Sequence, residues 1–271
     1  MLSKMMKESF PRLKATTVSP KTPHLADQLR WQPARKLREP EIACPDAAST
    51  KTAAAPGYNR VIPLDQTMTR VVKRAIDLFC AVAVIVVVFP WLIPIIGLVI
   101  TMDSPGPIFF LQKRNGRNGV PFTCMKFRSM RLNRHSDLTP ARQNDPRITR
   151  VGRILRSYCI DELPQFFNVL LGDMTLVGPR PHMIRENLIF SQSVADYAFR
   201  FRVKPGITGL GQLRGSTRGT RRERMTDRAY WDAFYILNWS LKMDIKILFS
   251  TLAFCCGGGH KDHAILIQPL T

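Results

Sequence analysis

The sequence predicts an α+β protein, mainly helical, in which a re-entrant membrane helix hairpin precedes a small cytosolic catalytic domain with a short β-hairpin and interfacial amphipathic helices. Three observations predict it. A long apolar run carries no charge between Asp77 and Asp103, yet holds Pro90 and Pro94. Two short β-prone runs then flank a Gly-Asn turn. Towards the C-terminus an amphipathic helical pattern is followed by a more apolar one.

The chain has 271 residues, with 40 Lys plus Arg against 20 Asp plus Glu and a formal charge of +20. Hydrophobic residues make up 45%, enough to build a core and to exclude disorder throughout. The charge calls for an anionic partner, and nucleic acid, an anionic membrane and phosphorylated substrates all qualify. The six cysteines form no CxxC and no His-Cys zinc spacing, and the adjacent Cys255 and Cys256 are a poor start for a disulfide framework. They read as reduced thiols of a cytosol-facing protein.

Residues 1–66 read as a disordered basic arm, rich in Pro, Lys, Arg, Ala and Thr and without a sustained apolar period. Its opening, "MLSKMMKESFPRLK", is too interrupted by charge for a signal-peptide core. Residues 67–103 are long enough to cross a bilayer, which takes roughly 20 apolar residues. Proline removes a backbone donor and clashes with the preceding turn, so a kink is expected near Phe89-Pro90, leaving each arm too short to cross. Basic residues stand on both flanks, Arg70, Lys73 and Arg74 before and Lys113, Arg114 and Arg117 after. Positive flanks mark the cytoplasmic side, and a helix that dips and returns satisfies both. On the residues alone a full span and a soluble core helix stay open.

Residues 104–256 read as a cytosolic domain and 257–271 as a tail. "PIFFLQ" and "PFTCMKF" around "NGRNG" predict the hairpin. Residues 132–147 read as a polar loop. "ITRVGRILRSYCIDELPQFFNVLLGDM" reads as one helix ended by Gly172, with Arg150, Arg153 and Arg156 on one face. "YAFRFRVKPGITGLGQLRGSTR" reads as strand-poor, and "DRAYWDAFYILNWSLKMDIKILFSTLAFCC" as two helices.

Asp161 and Glu162 stand side by side among apolar neighbours, where carboxylates repel each other and resist losing water. Arg156 lies five residues earlier, and "GPRP" places Arg180 on a rigid turn. Arginine forks match phosphate oxygens. A carboxylate held ionised by basic groups can attack phosphorus, and its neighbour can hold Mg²⁺. The bland alternative is a pair of acidic residues at a helix start. Arg114, Lys126 and Arg128, with Lys113, are phosphate or lipid-headgroup candidates, and Arg214, Lys204 and Arg218 join them; each alone also reads as a solvated charge. His182 reads as a packing or surface residue.

The stretches "KRAIDLFCA", "SPGPIFFLQKRNGRNGVPFTCMKFRSM", "DPRITRVGRILRSYCIDELPQFFNVLLGDMTLVGPRP" and "RFRVKPGITGLGQLRG" resemble the bacterial sugar transferase family, the monotopic polyprenyl-phosphate hexose-1-phosphate transferases. The resemblance implies a re-entrant helix broken at Pro90, although Phe89 stands where family members often have Ser. It implies Asp161 as nucleophile and Glu162 as a Mg²⁺ ligand, with Ile160 where Leu usually precedes the dyad. It further implies transfer of a sugar phosphate from a UDP-sugar, galactose or glucose, to undecaprenyl phosphate on the cytoplasmic face of the bacterial inner membrane, releasing UMP. Such chemistry begins exopolysaccharide, capsule or O-antigen synthesis. By its match Asp232 belongs to the nucleotide or metal site, with a helix cap or salt bridge as the alternative. A homodimer is left open. The competing reading, a membrane-tethered nucleic-acid binder, finds no zinc spacing, RNP-like aromatics or helix-turn-helix and leaves the dyad without a role, so no nucleic-acid partner is expected.

Overall fold

In the computed structural model of the protein, which describes residues 62–132 and 145–257, the apolar run is helical from Thr67 to Asp103. It comprises α1 (Thr67–Ala83), a π-helical turn (Val84–Val88) and α2 (Phe89–Asp103). The π turn lies where the sequence places a kink. Pro90 has no N–H to donate, and the backbone answers by widening, with the Phe89 N–H donating to the Val84 carbonyl. This helix is long and apolar enough to cross a membrane. Its outer face is bare: Phe79, Trp91 and Met102 are each about three-quarters exposed, at 75%, 76% and 78%.

The same helix is fastened to the following domain along its length. Near its start, Lys73 pairs with Asp244 at 2.5 Å, and Arg74 donates to the Val169 and Leu170 carbonyls. Asp77, buried, accepts from the Thr175 hydroxyl at 2.6 Å and the Leu176 amide at 3.0 Å. In the middle the Phe89 ring meets Phe166 and Phe167. Near the end Ile100 packs with Phe127 and Leu155, and Asp103 accepts the Val151 N–H.

The hairpin forms as predicted, with β1 (Phe109–Asn115) antiparallel to β2 (Pro121–Phe127) and Phe109 opposite Phe127. Asn118, at φ 56°, and Gly119, at φ 76°, supply the left-handed residues of its turn. The single helix expected after residue 147 is instead α3 (Arg150–Ser157), a 3₁₀ turn (Ile160–Glu162) and α4 (Gln165–Leu171). Cys159 breaks the helix by adopting φ 57°, and Pro164 cannot supply the N–H that would continue it. Gly172, at φ 93°, ends α4 as expected.

A second, parallel strand pair was not legible: β3 (Thr175–Val177) beside β4 (Gly206–Thr208). Each has three residues, too few for alternation to register, and β4 lies inside the stretch read as strand-poor. Then come α5 (Ile184–Ser193), a 3₁₀ segment (Tyr197–Arg202), α6 (Leu210–Arg214), α7 (Arg221–Leu237) and α8 (Leu241–Cys256). The first of the two C-terminal helices starts earlier than expected, because Thr220 and Glu223 form a capping box. The main core joins Ala81, Val169, Leu176, Tyr235, Ile236 and Ile247. Ile62 and Leu64, placed by the sequence in the basic arm, are buried in it as well. Residues 1–61 of that arm, residues 133–144 of the polar loop, and the tail beyond Gly257 lie outside the described residues.

Asp77→Ala is expected to destabilise the protein by about 2–4 kcal/mol, since the Leu176 amide and Thr175 hydroxyl would be left buried without their acceptor. Urea unfolding in detergent micelles measures this, and an unchanged midpoint would remove Asp77 as a fastening point.

Candidate active site

The dyad stands on the 3₁₀ turn between α3 and α4. Its apolar neighbours Ile160 and Leu163 pack against the cluster of Ile100, Phe127 and Leu155 and seat the turn. Left-handed backbone at Cys159, uncommon for a residue with a β-carbon, turns the two carboxyl groups out of the helical course. Glu162 meets Lys126 of β2 through Oε1 at 2.5 Å. Arg180 grips it with both arms, Nη2 to Oε1 at 2.5 Å and Nη1 to Oε2 at 3.1 Å. The Arg180 Nη1 also donates to Gln212 Oε1 at 2.7 Å.

The two carboxylates are driven apart electrically. Burial alone would raise both. Arg180 and Lys126 nevertheless hold Glu162 well below the usual carboxylate range, and Glu162 in turn pushes the Arg180 guanidinium up. Asp161 is pushed up by burial and by the Glu162 charge, with Lys126, Arg156 and Arg180 opposing. Among the described residues no hydrogen bond or ion pair reaches the Asp161 carboxylate. Glu162 therefore takes the ion pairs, and Asp161 keeps its oxygens uncommitted.

Arg180 sits where it does because β3 and β4 extend into the "GPRP" turn: Gly178 N–H donates to the Thr208 carbonyl, and Gly206 N–H to that of Pro179. Arg180 also lines a cavity of about 330 Å³, with His182, Arg200, Gln212, Arg228 and Asp232. Asp232 is buried, pairs with Arg200 at 2.8 Å, and is pushed up to about 6 by burial. Gly211 is obligatory beside it, since a β-carbon there would lie 2.5 Å from Asp232 Oδ1. Arg200, Gln212 and Arg228 escaped the sequence reading, and His182 was read as packing. Its position directly after "GPRP" was the one signal available.

The structure thus brings Asp161, Glu162, Lys126, Arg156 and Arg180 together, with Asp232 across the adjoining cavity. Arg156 reaches Ser129 Oγ through Nε at 2.7 Å. Arg114 is half-buried and donates to the Pro181 carbonyl and to Gln112 Oε1, bracing the arginine turn from behind. Arg128 is turned towards the end of α2, where it donates to the Ser104 and Pro105 carbonyls at 2.6 and 2.5 Å. Arg214 lies over the Trp231 ring, 4.8 Å from its centroid. Neither of these two has a hydrogen bond to the dyad.

Residues 68–258 match the family described as bacterial sugar transferase. The chain belongs to the bacterial sugar transferase family. It is 43% identical over 198 residues to the UDP-glucose:undecaprenyl-phosphate glucose-1-phosphate transferase of Escherichia coli K12, covering 71% of this chain and 42% of that one. A protein of the same name from Caulobacter vibrioides is 43% identical over 192 residues, covering 70% of this chain and 72% of the relative. The undecaprenyl-phosphate galactose phosphotransferase of Salmonella typhimurium LT2 is 40% identical over 205 residues, 69% of this chain and 41% of the relative. The chain therefore spans about two-fifths of the E. coli and Salmonella proteins.

Glu162→Gln leaves Lys126 and Arg180 without their shared anion, and a loss of about 2–4 kcal/mol is expected. Because the folded protein holds Glu162 below its unfolded value of about 4.3, the stabilisation is present above that pH and is lost as pH falls towards the folded value. Unfolding midpoints followed from about pH 5 down to pH 3 should fall less steeply in the variant than in the parent. Parallel curves would show that Glu162 is not held ionised.

Proposed function

We propose that the protein transfers a hexose-1-phosphate from a UDP-sugar to undecaprenyl phosphate through a covalent Asp161-phosphosugar intermediate. The observation that carries this is the division of labour within the dyad: a buried Asp161 with free oxygens beside a Glu162 gripped by Arg180 and Lys126. One Asp161 oxygen attacks the sugar-bearing phosphorus, and the bond to the bridging oxygen breaks as UMP leaves with the electron pair. An oxygen of the lipid phosphate then attacks the same phosphorus and returns the carboxylate. Lys126, Arg156 and Arg180 offset charge gathering on the phosphoryl oxygens. Two half-reactions suit a site that receives one soluble and one membrane-bound substrate, because the two need not be present together.

Mg²⁺ is the proposed cofactor. The donor set fits a hard cation in one respect: Glu162 Oε2 accepts a single bond, from Arg180, and keeps a lone pair. No group of three metal-ligating side chains exists among the described residues. The ion would thus be held by Glu162 together with phosphate oxygens and water. When bound it supplies neutralisation of phosphate charge. The relatives named for glucose and galactose support one of those two sugars as the cargo. Asp232 and the arginine-lined cavity are the proposed seat of the nucleotide.

The apolar helix is proposed to be re-entrant at the inner membrane, with the catalytic domain on the cytoplasmic face. A straight helix of 37 residues would be about 55 Å long. Attachment of residues 73–77, 89 and 100–103 to one domain supports a helix that enters and leaves on the same side. The bare apolar face would lie in lipid and the basic flanks at its surface. The lipid-linked sugar would open exopolysaccharide, capsule or O-antigen synthesis.

Labelled UDP-glucose and UDP-galactose, supplied with Mg²⁺ and undecaprenyl phosphate, should give labelled lipid and UMP. Asp161→Asn should lose both products by a factor of about 10³ or more, while mass spectrometry of the donor-treated parent finds the phosphosugar on Asp161. Full turnover by Asp161→Asn would overturn the nucleophile assignment. For topology, cysteines introduced at the exposed positions Arg70 and Lys113 in a cysteine-free background should both resist an impermeant thiol reagent applied outside intact cells. Labelling at one alone would mean a full span.

A further inference from the structure

Arg200 is the most fully committed cation of the site. Its Nη2 donates to the Arg180 main-chain carbonyl at 2.8 Å and pairs with Asp232 Oδ2 at 2.8 Å. Its Nη1 donates to the Tyr197 hydroxyl at 2.9 Å and meets His182 Nδ1 at 2.5 Å. All four hydrogens of the two terminal nitrogens are thereby used. One guanidinium joins the backbone of the Glu162-binding arginine to the buried carboxylate across the cavity.

The protonation of His182 follows from hydrogen-bond counting. A guanidinium only donates, so Nδ1 must accept. The Tyr197 hydroxyl, 3.0 Å from Nδ1, gives its single hydrogen to Asn187 Oδ1 at 2.7 Å and has none for the imidazole. Asn187 is fixed in turn by donating to Asn115 Oδ1 at 2.7 Å and to the His182 carbonyl at 3.3 Å. The ring proton is then on Nε2, which is buried and has no hydrogen-bond partner among the described residues. A second ring proton would have to go on Nδ1, against the Arg200 N–H. The charged groups facing the ring are Arg200 from the 3₁₀ segment, Arg180 from the "GPRP" turn, Arg114 from β1 and Arg228 from α7, all cationic. Asp232 is reached only through Arg200. Burial first, then these four cations, hold the imidazole uncharged well below the usual histidine range.

We propose that His182 is a positioning residue of the transfer reaction: by accepting at Nδ1 it aims Arg200, and so fixes Arg180 and Asp232 on the two sides of the cavity. A lysine, a charged histidine or an apolar ring at this position would leave one Arg200 N–H buried without an acceptor and let the guanidinium swing. The proposal rests on the reaction assigned above and places the effect in its first half, where the nucleotide sugar occupies the cavity.

Three substitutions separate the working nitrogen. Asparagine sets an acceptor oxygen near the place of Nδ1, glutamine reaches instead to the place of Nε2, and phenylalanine keeps the ring without either. His182→Phe is expected to lower kcat/KM for the UDP-sugar by about tenfold to a hundredfold, and kcat/KM for undecaprenyl phosphate by less, because Arg180 serves both halves while the nucleotide cavity serves only the first. His182→Asn should recover most of the loss and His182→Gln should not. Equal losses for both substrates, rescue by Gln alone, or a fully active Phe variant would each overturn the proposal. Independently of whether variants fold, ¹⁵N NMR of histidine-labelled parent protein should show a neutral Nε2–H ring that does not titrate between about pH 5 and 8. A proton on Nδ1, or titration within that range, would also overturn it. Failure of the parent to turn over any UDP-sugar counts against the reaction and the kinetic half of this proposal, while the NMR result still decides the accepting atom.

Discussion

The pairing of Glu162 with Arg180 and Lys126 is the constraint around which the domain that follows the apolar helix is arranged. Two adjacent carboxylates cannot both be buried and ionised unless cations meet at least one of them. Three separate segments must converge for that: β2 for Lys126, the "GPRP" turn for Arg180 and the 3₁₀ turn for the dyad. Each segment is placed by something else. The turn is seated by Ile160 and Leu163, β2 by its hairpin partner, and "GPRP" by the short parallel pair β3–β4. Arg200 and Arg114 then hold the main chain of Arg180 and Pro181. The ion pairs are few, but most of the fold is needed to bring them together.

The apolar helix obeys the same logic at its polar points. A helix with a bare lipid-like face has no apolar reason to prefer one rotation against its own domain. Asp77 and Lys73 supply one, because each finds its partner only in a single register. Asp244 links this fastening to the core, since it accepts from the Tyr235 hydroxyl as well as from Lys73. The Tyr235 hydroxyl also lies 2.9 Å from the Val177 carbonyl, at the end of the strand that leads into "GPRP". The apolar helix and the arginine turn thus share one buried polar network.

Much of this was legible in the sequence for physical reasons that differ by element. The hairpin showed because seven-residue strands and a Gly-Asn turn leave a local pattern. The apolar helix, its irregularity before Pro90, and the stop at Gly172 showed because proline and glycine constrain the backbone wherever they stand. The dyad was visible because adjacent acids among apolar residues are costly. What stayed hidden depends on contacts remote in sequence. Cys159 adopts left-handed backbone without being glycine, so the break within the expected single helix carried no signal. The β3–β4 pair joins segments about thirty residues apart, each too short for periodicity. The capping box at Thr220 and Glu223 is a local signal, and it starts α7 ahead of the apolar pattern that predicts the helix.

The arginines show why a large positive charge is a poor guide to where phosphate binds. Arg74, Arg114, Arg128 and Arg200 all direct terminal nitrogens at main-chain carbonyls. In these positions the guanidinium works as a rigid multiple donor that closes loops against one another, and its charge is incidental to that task. Arg180 differs because its side chain faces a carboxylate at the mouth of a cavity while its own carbonyl is held from behind. Its guanidinium is thereby both held in place and turned to the cavity. What sets Arg180 apart is what holds its backbone, and composition cannot register that property.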